Sequence, residues 1–412
     1  LRADYKVVYD VKNKKAAANS VITFTQREEG KPIFDLMESP ISAKINGEQV
    51  DIALIQDPDK QTKYRLADKD LAPGEHTLEI EHEFSENIKF SGGGVASGFW
   101  MSDLSDRKYL EQYLPSNLEF DQFKMSLEVQ IINASEEHEV FANGEIDFFG
   151  DNHFKVEFPS YFTTSSMFFH LTPRDRFTKK EFIFTSINGS KIPVMAYSKS
   201  SWSLVNIENK IIEILKELEE KLGAWGHPGL TVYIAGSGGM EHSGATITSL
   251  WALGHELTHS YFARGVMPID GNSGWLDEAI ASWRDDGYKA SSKPFYNSAK
   301  MAGFSPYKRT TDRKAYRQGA SFMAFLNHEL KDRGGLETFL ASMYENYMHK
   351  NLNTSVFQKE LEKFSGRSFK SDFDRYVLKK DSAWEEREKR KTSAAPNPFH
   401  PKLSKKQLMD LL

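Results

Sequence analysis

The segment "GHELTHSYFARGVMPIDGNSGWLDEAIASW", residues 254–283, holds two histidines four residues apart, a glutamate beside the first, and a second glutamate in a later apolar string. In an α-helix, positions i and i+4 share a face one turn apart, so His255 and His259 present their imidazoles together. Two neutral imidazoles so placed can share one Zn²⁺ at about 2.0–2.1 Å each. Glu256 falls at the edge of that face, where a carboxylate can hold a metal-bound water without being a ligand. A catalytic zinc takes three protein ligands and keeps one position open. Glu278, with eighteen residues between it and His259, is the candidate third ligand. Its setting "GWLDEAIASW" reads as a new amphipathic helix, and the reversal "MPIDGNSG" can fold it back opposite the histidines. The competing reading is a chance match on a surface helix with two solvated histidines. The apolar string "LWALGHELTHSYF" argues against it, because burying two histidines and a glutamate without partners is costly.

The rest of the composition narrows the chemistry. A chain of 412 residues favours two or three domains and supplies a sizeable core. Hydrophobic content of 39% with 27% charged residues is that of a globular protein. A net charge of −5 gives no reason to expect a nucleic-acid partner. No apolar run is long enough to span a bilayer, and "NKIIEILKELEEKLG" is broken by charge at every turn. There are no cysteines, which excludes disulfides, thiolate metal sites and a cysteine nucleophile. A metal must then be held by His, Asp or Glu. The chain begins at Leu1 rather than Met, and a periplasmic or secreted setting is expected over a cytoplasmic one.

Periodicity divides the chain. Through residue 174 it reads as β, with strict alternation at Tyr5, Val7, Tyr9 and Val11, at Leu78, Ile80 and Phe84, at Met125, Leu127, Val129 and Ile131, and at Phe154, Val156 and Phe158. Turn signals near Asn46, Gly74, Asn143 and Gly150 separate these runs, as in a sandwich or saddle-like sheet assembly. Two further strands, "EFIFTSINGS" and "IPVMAYS", precede a change of period. Ile207, Ile211, Leu215, Leu218 and Leu222 fall at helical spacing before Gly223, and "LTVYIAG" (230–236) is a short strand. Helices are expected at about 249–263, 275–289, 315–332, 335–350, 354–364 and 370–379. The fold class is therefore multidomain α+β: a β-domain over 1–174, a mainly α domain with a small sheet over 175–380, and a charged, proline-containing tail over 381–412 with a final short helix near Leu408.

The pairing of "HELTH" with "WLDEAIA" across eighteen residues resembles the gluzincin metallopeptidases of the M1 aminopeptidase family, which includes aminopeptidase N and leukotriene A4 hydrolase. The resemblance implies a thermolysin-like catalytic domain, one Zn²⁺ held by His255, His259 and Glu278, and Glu256 as general base. A second string, "GGMEH" (238–242), is similar to the family's Gly-x-Met-Glu-Asn, with His242 in place of Asn. It implies an edge strand in which Gly238, Gly239 and Met240 line the peptide and Glu241 grips the substrate's α-amino group. A third, "KAYRQGASFMAFLNHEL", matches the family's Tyr-x-Lys-Gly-Ala at Tyr316, Gly319 and Ala320, with Gln318 in the lysine position. It implies Tyr316 as the donor to the transition-state oxyanion, with Tyr261 and Tyr288 as competing tyrosines. "SYFARGVMPIDGNSG" follows the family only loosely and is where this chain's own specificity is expected. Residues 381–412 are too few for the large C-terminal helical domain of many members, so the expected cleft is open or covered by a second subunit of a homo-oligomer.

The function so implied is that of a zinc aminopeptidase acting on peptides with a free N-terminus. Two other readings stay in play. One is an endopeptidase using the same chemistry in an open cleft. The other is a non-catalytic zinc-binding scaffold, against which stands the retention of all three ligands, the base and Glu241.

Overall fold

The structure is a computed structural model that describes residues 1–55, 63–101, 108–116, 119, 121–269, 273–295, 297–304 and 311–380. The expected tail over 381–412, with its short helix near Leu408, lies outside the described residues. The described residues divide into two compact units, 1–178 and 179–380.

The first unit is built of strands. An eight-stranded sheet runs in the order Glu145–Gly150, His153–Glu157, Lys124–Ile132, Arg2–Asp10, Lys15–Gln26, Gly74–Phe84, Ser42–Ile45, Glu48–Gln49. Arg2–Asp10 pairs parallel with Lys124–Ile132 and antiparallel with Lys15–Gln26. A four-stranded sheet (His138–Ala142, Phe169–Pro173, Gly94–Phe99, Ile88–Ser91) faces the same core. Tyr5, Val7, Tyr9, Leu78, Ile80, Leu127, Val129, Phe154 and Val156 from the large sheet pack there with Val95, Phe99, Val140 and Leu171 from the small one. A period-2 pattern buries one face of a strand, and that is why the alternating positions meet here. Asn143–Gly144 does not close a hairpin: its flanking strands belong to different sheets, and a Cβ on Gly144 would sit 2.5 Å from the Glu157 carbonyl oxygen.

The second unit is mainly helical around a five-stranded sheet, ordered Thr178–Thr185, Lys191–Ser198, Leu230–Ile234, Ala245–Thr248, Gly239–His242. Gly239–His242 is an edge strand, antiparallel to Ala245–Thr248. Among the described residues there are seven α-helices: α1 (Ile207–Leu222), α2 (Leu253–His259), α3 (Trp275–Asp285), α4 (Lys314–Glu329), α5 (Gly335–Tyr347), α6 (Thr354–Ser365) and α7 (Lys370–Tyr376). No described helix is long and apolar enough to cross a membrane. Ile211, Leu215, Leu218 and Leu222 of α1 share a core with Leu253 and Leu257 of α2 and with Trp275, Leu276 and Ile280 of α3.

Two helices near the site are shorter than their apolar patterns suggest. α2 ends at His259 rather than 263, because the chain folds into a tight turn in which the Val266 amide donates to the Tyr261 carbonyl at 2.7 Å. Gly265 permits that turn: a Cβ there would lie 2.6 Å from the Ser260 carbonyl oxygen. α3 ends at Asp285 rather than 289, where Gly287 takes φ 75° and the Tyr288 amide reaches back to the Trp283 carbonyl at 3.1 Å. That backward bond satisfies carbonyls the helix leaves open at its end.

Candidate metal centre

α2 carries His255 and His259 on its inner face, both buried, with ring centroids 4.8 Å apart. Leu253 and Leu257 on the same short helix are fully buried and anchor it in the core. α3 packs against α2 and brings Glu278, buried in its first turn, opposite the pair. One donor atom from each of His255, His259 and Glu278 lies within 4.8 Å of the others. Glu278 Oε2 is 3.2 Å from His255 Nε2 and 3.6 Å from His259 Nε2. Two imidazole nitrogens and one carboxylate, all buried and convergent, form a donor set suited to Zn²⁺.

Glu256 and Glu241 border this triad. One carboxylate oxygen from each lies within 4.8 Å of the other and of a His259 ring nitrogen. Glu241 comes from the edge strand Gly239–His242, whose first residue faces Glu256: a Cβ on Gly239 would fall 1.8 Å from Glu256 Oε1. Gly239 is thus the space into which Glu256 reaches. Tyr316 stands in the first turn of α4, and its hydroxyl donates to Glu278 Oε1 at 2.5 Å. Its ring lies parallel to that of His255, 6.4 Å away between centroids. α4 can approach this closely because Gly319 lies against Ala279 of α3, where a Cβ would meet the alanine Cβ at 2.6 Å. The competing tyrosines are elsewhere: Tyr288 donates to Glu217, and Tyr261 packs against Trp225 and Tyr344.

No protein-family model matches the chain, and no curated protein sequence does. Solved structures do. An M1 zinc metallopeptidase variant of Deinococcus radiodurans bound to a Tyr-Ser-Ala substrate aligns with TM-score 0.68 at 15% identity, covering 97% of this chain and 96% of that one. Yeast LTA4 hydrolase aligns with TM-score 0.65 at 13% identity, over 97% of this chain and 69% of that one. Legionella pneumophila aminopeptidase A, in complex with aspartic acid, aligns with TM-score 0.66 at 12% identity, over 92% of this chain and 49% of that one.

The chain has the M1 zinc metallopeptidase fold.

Within this M1 fold, two features of the centre are not evident from its motifs. Asp285 Oδ2 accepts a hydrogen bond from His255 Nδ1 at 2.7 Å. This favours the proton on Nδ1, leaves Nε2 facing Glu278 Oε2 at 3.2 Å and raises the basicity of the ring. Asp285 follows Glu278 by seven residues, two turns along α3, so helical spacing places both on the face toward His255. Asp285 is itself held by Arg284 Nη1 at 3.3 Å, while Arg284 Nη2 bonds Glu217 of α1 at 2.7 Å. Tyr288 completes the chain with a 2.5 Å bond to the other Glu217 oxygen.

The electrostatics follow from this geometry. Burial alone would push the His255 pKa down, but the carboxylates of Asp285 and Glu278 outweigh it and raise it to about 10. A proton held by His255 would have to leave before the ring could bind a metal ion. The second feature is Arg264, buried in the turn after α2, whose Nη2 lies 3.2 Å from Glu241 Oε1. No residue spacing announces that pair; it arises where the turn meets the edge strand.

Proposed function

We propose that this chain is a zinc aminopeptidase that removes N-terminal residues from peptides. One observation carries the proposal: the buried donors of His255, His259 and Glu278 converge within 4.8 Å, with the carboxylates of Glu256 and Glu241 beside them. Zinc bound by the triad, one per chain, would lower the pKa of a water and polarise the scissile carbonyl. Glu256 takes the proton of the attacking water on its carboxylate and delivers it to the leaving amine. The Tyr316 hydroxyl, held at the centre by Glu278, turns to donate to the oxyanion as it develops. Glu241 binds the substrate ammonium through a charge-assisted hydrogen bond and so places the first peptide bond at the centre. The Deinococcus relative bound to a tripeptide supports a peptide as the substrate class.

The test is hydrolysis of an aminoacyl-arylamide and of free-amine and N-acetylated peptides by zinc-loaded protein, with Glu256→Gln as control. Faster cleavage of free-amine than of N-acetylated peptides, abolished in the control, is the expected result. Comparable rates on N-acetylated peptides would replace this reading by an endopeptidase. Stoichiometric zinc without turnover on a broad panel would replace it by a zinc-binding scaffold.

A further inference from the structure

Arg264 is the residue of the centre whose charge the aminopeptidase reading does not use. Its guanidinium and the Glu241 carboxylate form an ion pair in which the side chains are 5% and 1% exposed. The backbone around it is locked. The Arg264 amide donates to the His259 carbonyl at 2.9 Å, and Ala263 before it holds φ 155°, which L-residues rarely adopt. Gly265 after it has no room for a Cβ. His227 Nε2 bonds the Ser260 carbonyl at 2.8 Å at the start of the same turn. A buried pair held this way does not open readily, because breaking it leaves an uncompensated buried charge.

That has a consequence for any ammonium arriving at Glu241. A carboxylate has lone-pair sites for two donors, so guanidinium and ammonium can share it. They do so as like charges a few ångströms apart among buried side chains, where charges are weakly screened. The anchor presents a neutralised ion pair, not a free anion.

We propose that Arg264 is a specificity-determining residue that weakens the dependence on a protonated substrate N-terminus, and so admits peptides whose N-terminus is blocked or uncharged. The proposal rests on Glu241 being the amine anchor. In Arg264→Gln, which keeps a donor to Glu241 and loses the charge, KM for a free-amine peptide falls by roughly tenfold, equivalent to about 1.4 kcal/mol. Its kcat and the kinetics on the N-acetylated peptide stay within about threefold, below that same tenfold step. Arg264→Lys, which keeps the charge, retains the wild-type ratio of free to blocked turnover.

The experiment measures kcat and KM on both peptides for these variants, with zinc content and Tm as folding controls. Calorimetric binding of leucinamide against N-acetyl-leucinamide reads the same preference without turnover. If Arg264→Gln does not fold, the cycle is run in the Glu241→Gln background, where no lone buried carboxylate remains. There, removing the arginine charge raises free-amine kcat/KM by about tenfold if it acts by repulsion, and leaves it unchanged if it only positions Glu241. Wild-type protein that turns over only the free-amine peptide, a rise in free-amine KM in Arg264→Gln, an equal effect on both peptides, or no effect in the Glu241→Gln background overturns the proposal. Wild-type protein that carries zinc and cleaves neither peptide overturns the aminopeptidase reading, and this proposal with it.

Discussion

Gly239→Ala is the substitution that most directly tests how the base is placed. The added methyl would start 1.8 Å from Glu256 Oε1 and 2.3 Å from its carboxyl carbon. An ordinary contact begins near 3.4 Å, so the carboxylate must retreat by about 1.6 Å or the edge strand must shift. Backbone conformation is not the obstacle; Gly239 is not among the residues with positive φ. Overpacking of this kind costs about 1–3 kcal/mol of stability, a modest loss in Tm for a unit of this size. The effect on chemistry is larger, because displacing a reacting group by about 1 Å can cost roughly a hundredfold in rate. The expected variant is folded, binds zinc as the wild type does, and has kcat reduced by about a hundredfold or more with KM little changed. The assay is steady-state kinetics on an aminoacyl-arylamide alongside metal analysis and thermal melting. A kcat within about threefold of wild type, well short of that hundredfold, would show that Glu256 is not the base or that its placement does not depend on Gly239.

Other outcomes follow from the same geometry. Asp285→Asn removes the anion beside His255 Nδ1, and zinc affinity should fall by about 10–100-fold without loss of fold, as read by chelator competition. Tyr316→Phe should lower kcat by about 10²–10³-fold with a small change in KM; a KM effect alone would make Tyr316 a binding residue instead. Zinc binding at pH 8 should release a proton from His255, whose pKa in the metal-free protein is raised to about 10, and calorimetry in buffers of different ionisation enthalpy would detect it. The sign extends to stability: charged His255 stabilises the metal-free fold fully below its unfolded pKa of about 6.5, and that contribution is lost as pH rises through about 10. Zinc affinity therefore weakens as pH falls below about 10, up to tenfold per unit. Gly319→Ala should push α4 from Ala279 and cost about 1–3 kcal/mol, with activity falling further than in a comparable substitution away from Tyr316.

Much of this was legible along the chain because it depends on short-range periodicity. His255 and His259 share a face in any α-helix, and Glu278 belongs to the next helix with its own apolar stripe. Alternation at Tyr5, Val7 and Tyr9 or at Leu127 and Val129 needs only the pleat of a strand to bury one side. Helix ends were less legible. The apolar pattern continues past His259 through Tyr261 and Phe262, yet the helix stops because Gly265 lets the chain turn back on its own carbonyls. Asn143–Gly144 marks a bend in sequence, but only sheet assignment makes it a crossing between two sheets.

The sequence by itself determined which groups can bind a metal and which helices present them, because ligand type and helical spacing are properties of local chain. Only the tertiary structure decided what surrounds those groups. The edge strand had to lie beside α2 before Gly239 became the space for Glu256, and α3 had to pack on α2 before Asp285 met His255. The turn after His259 had to reach that strand before Arg264 met Glu241. Such contacts join residues 17 to 30 positions apart, and their energies depend on burial and separation, which no single segment of the chain specifies.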